Sequence, residues 1–179
     1  MAELTNARLW MMRFSFVGLS AAVIFFYLLP LQTAPRSWAG PDMIIALAFA
    51  WALRRPEYVP VLSVAVVMLL ADLMLQRPPG LLALLVVLGV ENLKSRALGL
   101  REAPFLAEWS VVALVLIAIT LMNRLILGIL VVQQAPLGLS ILQTVVTLMF
   151  YPVVVLLSRF VLGVRKAAPG DARAMGRNI

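Results

Sequence analysis

The chain has 179 residues, of which 63% are hydrophobic and only 13% charged, with a mean hydropathy of +1.02. An ordinary soluble domain carries about 45–50% apolar and about 25% charged residues, so no water-exposed fold of this size could hide the apolar surface, and the solvent must be lipid. With no His and no Cys, Ser-His-Asp and Cys-His catalysis, His or thiolate metal sites and a disulfide framework are excluded.

A helix needs roughly 20 mostly apolar residues to cross about 30 Å of hydrocarbon, and six such runs are predicted, giving an all-α membrane protein. The first, 14–31, follows Arg8 and Arg13. It is longer than a signal-peptide core and no small-residue cleavage site follows, so it reads as an uncleaved helix. The second, 42–53, is short unless 38–40 join it. Asp42 directly follows Pro41, and a helix N-terminus favours both a proline and a carboxylate, so a capping role is expected. Arg54-Arg55-Pro56 breaks the chain before the third run, 59–75. Asp72 sits about a turn inside that run and precedes Gln76-Arg77-Pro78-Pro79-Gly80; it orders this turn, pairs with Arg77, or serves a functional role. The fourth run starts at 81 and must pass Glu91 to about 97, because 81–90 alone rise only about 15 Å. Residues 91–108 mix charges with Leu93, Leu98, Leu100, Phe105 and Leu106 and read as a charged connector or an interfacial segment. The fifth run is 109–132, Ala135-Pro136 turns the chain, and the sixth is 139–164. Residues 1–166 thus form one integral membrane domain, and 167–179 a disordered basic tail.

The formal charge is +7, and its meaning depends on where the cations fall. Arg8, Arg13, Arg54, Arg55, Lys94, Arg96, Arg101, Arg165, Lys166, Arg173 and Arg177 lie on one side of the predicted spans, and only Arg36 and Arg77 on the other. By the positive-inside rule both termini are cytoplasmic. The charge is therefore a topology signal and an attraction to anionic lipid, and nucleic acid is not an expected partner.

Ionisable residues inside spans mark sites or structural pairs. Arg159, late in the sixth run, can reach headgroups and reads as an anchor. Glu91 and Arg124 are the deepest charges, roughly 15 and 12 Å from the same surface. Their depths allow a pair across the bundle, with Asn92 and Asn123 beside it; alternatively Glu91 lies nearer the inner interface and Arg124 reaches outward. The acids are scattered one to a span, unlike a proton pathway, and Asp42 and Asp72 lie too near one edge for a protease dyad. Neither an enzyme nor a cofactor or metal site is expected. Gly18 with Ala22, Ala46 with Ala50 and Ala48 with Ala52 offer small faces for close helix approach.

The run Gly40-Pro41-Asp42, a helix closing on Trp51-Ala52-Leu53, then Arg54-Arg55-Pro56-Glu57-Tyr58-Val59, Ala71-Asp72-Leu73 and Leu81-Leu82-Ala83-Leu84, together with Tyr151-Pro152 and Ser158-Arg159, resembles MreD, the rod shape-determining membrane protein family of bacteria, in its alphaproteobacterial branch. The resemblance implies a six-helix bundle similar to the substrate-binding subunits of energy-coupling-factor transporters. It also implies a non-enzymatic scaffold subunit in the inner membrane, organising lateral peptidoglycan synthesis beside MreC and with MreB, RodA and the elongation transpeptidase. Pro41, Trp51, Asp72, Gly80, Pro152 and Arg159 fall on its motif positions, and the region of Asp42, Asp72 and Arg77 would lie near the MreC anchor. The turn after Asp72 departs from the family in being stiffer and more basic. A second reading is a vitamin-like small-molecule binding subunit of such a transporter, motivated by the fold likeness and by Glu91, Asn92, Asn123 and Arg124; the short, Pro-rich outer linkers speak against it.

Overall fold

Prolines, glycines and backbone caps cut the apolar sequence into helices. The computed structural model describes residues 2–29, 40–100, 102–161 and 164. Six α-helices follow one another, α1 Ala2–Leu28, α2 Met43–Arg54, α3 Val61–Met74, α4 Leu81–Arg96, α5 Phe105–Ile129 and α6 Leu137–Val161, with a 3-10 turn at Pro56–Tyr58 between α2 and α3. The expected tail 167–179, and Arg36, Trp38 and Arg101, lie outside the described residues.

Pro60 and Pro104 stand at the N-caps of α3 and α5, where the ring ends the preceding turn without removing a needed intrahelical bond. Helix α3 closes with the Arg77 amide donating to the Asp72 carbonyl at 2.9 Å and Gln76 to Leu73 at 3.4 Å. Helix α5 closes in the same way, Val132 to Leu127 at 3.0 Å and Val131 to Gly128 at 3.2 Å. Both are Schellman closures, with Gln76 at φ 53 and Val131 at φ 54 in the left-handed position.

Among the described residues, three stretches are long and apolar enough to cross a membrane, Asn6–Leu28, Phe105–Ile129 and Leu137–Phe160. The second, third and fourth predicted runs are shorter: α2, α3 and α4 have 12, 14 and 16 residues, or about 18, 21 and 24 Å of rise. Helix α2 has a particular reason to be short. Every residue from Ile44 to Arg54 is buried, and it packs against α1, α4 and α6, so it is the core of the bundle. A helix apolar all round belongs in such a place. The other helices each expose large apolar side chains, such as Phe26 on α1, Leu62 on α3, Leu88 on α4, Leu125 on α5 and Phe160 on α6.

The small residues of α2 are used as expected, since Ala46, Ala48, Ala50 and Ala52 are all buried. Gly18 is not: a Cβ there would meet nothing within 4 Å, and Ala22 is exposed. Close approach falls instead to Gly89 on α4, where a Cβ would stand 2.7 Å from Ile119 Cδ1, 3.1 Å from Val115 Cγ1 and 3.5 Å from the Phe49 ring.

Candidate functional site

Most of the buried polar residues gather near the two ends of α2; Ser20 on α1 is buried apart from them. At its C-terminal end, Arg54 donates from Nη2 to both oxygens of Glu108, at 3.1 and 3.4 Å. The Tyr151 hydroxyl donates to Glu108 Oε1 at 2.9 Å. The Glu108 side chain is 1% exposed and that of Arg54 9%, so each charge depends on the other for its solvation. Both also suit their helices, a cation in the last turn of α2 and an acid in the first turn of α5. Glu108 reads from sequence as part of a connector; the overlooked signal is Pro104, which starts α5 early and brings Glu108 inside it.

Trp51, wholly buried, donates from Nε1 to Ser158 Oγ at 3.0 Å. Pro152 sits inside α6 and has no N–H for the carbonyl of Leu148 one turn earlier. Trp109 Nε1 fills that vacancy, donating to Leu148 O at 3.1 Å, so the proline break becomes a tie between α5 and α6. Beside this cluster a cleft of about 610 Å³ opens, with Arg54, Phe105, Glu108, Pro152, Val155, Leu156 and Arg159 in its wall. Arg159 is exposed at the cleft edge.

At the N-terminal end of α2, Asp42 is the N-cap, accepting from the Ile45 amide at 3.4 Å. Its second oxygen takes Arg77 Nη1 at 3.1 Å, and its own amide donates to Thr147 Oγ1 at 2.8 Å. The Tyr27 hydroxyl donates to the Pro41 carbonyl at 2.6 Å and accepts from the Met43 amide at 3.1 Å. The expected capping role of Asp42 is thus present.

Asp72 orders its turn, but not through Arg77. Its Oδ2 accepts from the amides of Gly80 at 3.2 Å and Ala83 at 3.3 Å, so α3 supplies the cap that α4 lacks. Gly80 is the N-cap of α4, with φ 91 and no side chain to do this work. The orphan amides at a helix N-terminus draw the carboxylate, which leaves the Arg77 guanidinium to Asp42. Asp72 Oδ1 is buried without a partner among the described residues.

The proposed pair of Glu91 and Arg124 is not formed. Glu91, exposed, binds Lys94 Nζ at 2.7 Å. Arg124 donates to the Ala135 carbonyl at 3.0 Å and Ser140 Oγ at 2.6 Å, which ties down the turn between α5 and α6. The packing of Gly89 on Val115 and Ile119 sets Glu91 level with the middle of α5, and Arg124 lies more than two turns farther along. Equal depth from one surface misleads because α4 and α5 do not start at equal heights. Asn92 is exposed, and Asn123 lines a small cavity of about 150 Å³ with Asp42, Arg77, Arg124, Gln143 and Thr147.

No family model, curated protein or solved structure matches this chain.

Proposed function

We propose that this chain is a membrane scaffold of the bacterial cell-elongation machinery, of the MreD type, with six crossings and both termini in the cytoplasm. One observation carries the reading: residues on which the resemblance rests, scattered between 41 and 158, are used to cap helices and to tie one helix to another around α2. Trp51 bonds Ser158, Asp42 is held by Arg77, Asp72 caps α4 over Gly80, and Pro152 frees the carbonyl that Trp109 takes. A motif used to fix helix positions suits a protein that presents a defined surface to other membrane proteins. MreC is the direct partner in this reading, at the end carrying Asp42 and Arg77, with MreB, RodA and the elongation transpeptidase in the same assembly.

Six crossings are compatible with the short central helices. Helix α2 is enclosed by protein, and the backbone groups at its N-terminal end are satisfied by Tyr27, Thr147 and Asp42 rather than left in lipid. The transporter reading has weaker support. The cavity beside Asn123 and Arg124, at about 150 Å³, falls below the roughly 300 Å³ from which small-molecule sites begin.

Depletion in the native rod-shaped host tests the function: cells should round up, and wild type should restore the rod. Depleted cells that keep their shape would sink the proposal. Because the chain has no Cys, single substitutions report topology without background. Gly99→Cys should react with a membrane-impermeant maleimide only in inverted vesicles, and Gly138→Cys only in intact spheroplasts; labelling of both from one side overturns the six-span arrangement.

A further inference from the structure

Among the cavities, the cleft between α5 and α6 combines features that the scaffold reading does not use. Arg54 reaches it with a guanidinium only partly satisfied: Nη2 is bound to Glu108, Nε is buried without a partner, and no described residue accepts from Nη1. The residue is itself only 8% exposed. Arg159, at the cleft edge, has no hydrogen-bond or ion-pair partner among the described residues. Two cations face one carboxylate in the described wall, so the lining carries an excess positive charge. The rest of the wall is Phe105, Pro152, Val155 and Leu156, an apolar surface continuous with two of the helices long enough to cross a membrane.

We infer that this cleft binds an anionic membrane lipid, its phosphate against Arg159 and Arg54 and the start of an acyl chain along Val155, Leu156 and Phe105. Charge complementarity selects an anion, because a guanidinium with donors to spare beside an apolar wall gains most from a phosphate or carboxylate. The apolar wall selects an anion that carries a chain, since a free phosphate would leave that surface uncovered. At about 610 Å³ the space takes a headgroup and several methylenes, and the remainder of the lipid stays in the bilayer. The inference depends on membrane insertion and is independent of the cell-shape reading.

The full chain in mild detergent, examined by native mass spectrometry, provides the test. Phosphatidylglycerol should be retained roughly tenfold better than phosphatidylcholine, the size of effect that one charge-assisted contact supplies. Arg159→Gln should bring phosphatidylglycerol down to the phosphatidylcholine level. The side chain is exposed, so the variant should melt as wild type does. Leu156→Trp, which fills the cleft, should lower retention of both lipids, whereas Arg96→Gln, an exposed cation on α4 outside the cleft, should change neither. Equal retention of the two lipids overturns the inference, as does wild-type retention by Arg159→Gln. Displacement of phosphatidylglycerol by millimolar inorganic phosphate would also overturn it, by showing a free-anion site.

Discussion

The two ends of α2 solve one problem with opposite parts. At the N-terminal end the helix supplies the acid, Asp42, and a loop supplies the cation, Arg77; at the C-terminal end the helix supplies the cation, Arg54, and a neighbouring helix supplies the acid, Glu108. Each sign suits the helix dipole. The solvation differs. The side chains of Arg54 and Glu108 are 9% and 1% exposed, whereas buried Asp42, at 7%, is paired with an Arg77 that is 28% exposed, so the contrast lies in the cation. The first pair is held between helices with the Tyr151 hydroxyl beside it, while the second includes a cation on a turn that can reach solvent or headgroups. Burial, rather than the presence of a salt bridge, therefore decides which end depends on its pair.

Removing one member of the deep pair should produce the largest effect. Glu108→Ala leaves the Arg54 guanidinium buried and takes the acceptor from Tyr151, a loss of about 3–5 kcal/mol; it should appear as a collapse of folded yield and melting temperature in detergent. Replacing both partners by Leu and Met should restore most of the loss. A wild-type melt for Glu108→Ala would erase the contrast between the ends. Midway between them, Gly89→Ala probes packing alone. The new methyl would meet Ile119 Cδ1 at 2.7 Å, a flexible tip that can swing aside, and Val115 Cγ1 at 3.1 Å, on a stiff β-branched side chain, so about 1 kcal/mol of destabilisation is expected. A neutral result there would mean that Ile119 swings aside and that this contact does not set the spacing of α4 and α5.

At the shallow end the effects should be smaller and separable. Asp42→Ala removes the cap as well as the ion pair and should cost about 1 kcal/mol. Asp42→Asn keeps a capping oxygen and should cost only a few tenths, because a partly exposed pair contributes little. If Asn proves as damaging as Ala in the same melting assay, the Arg77 pair and not the cap holds this end, and the comparison must be redrawn.

Much of this arrangement can be read from the residues. Pro41-Asp42 announces a capped helix start, and Gln76 to Gly80 announces a turn that Asp72 organises, because such signals are local and act within a few residues. The early start of α5 at Pro104 is also local and was obscured by the charges around it. The pairing of Arg54 with Glu108 is not local. Arg54 looks like any cation beside a membrane surface, and only the packing of α6 against both α2 and α5 brings Glu108 to it. The choice left open for Glu91 and Arg124, a pair or two separate anchors, has the same origin: distance along one helix carries no information about how its neighbour is shifted.

Composition pointed to lipid, since 63% of the residues are apolar, and three described stretches are long and apolar enough to cross a membrane; the lack of His and Cys removes only the chemistry that needs those side chains. Helix boundaries followed mostly from prolines, glycines and caps, because backbone geometry answers to the nearest residues. Only the tertiary structure decided that α2 is the core, that Gly89 rather than Gly18 is the point of close contact, and which charges are paired. Those outcomes depend on the relative heights and rotations of helices, which are set by the sum of many small packing contacts and leave no signature in any one segment.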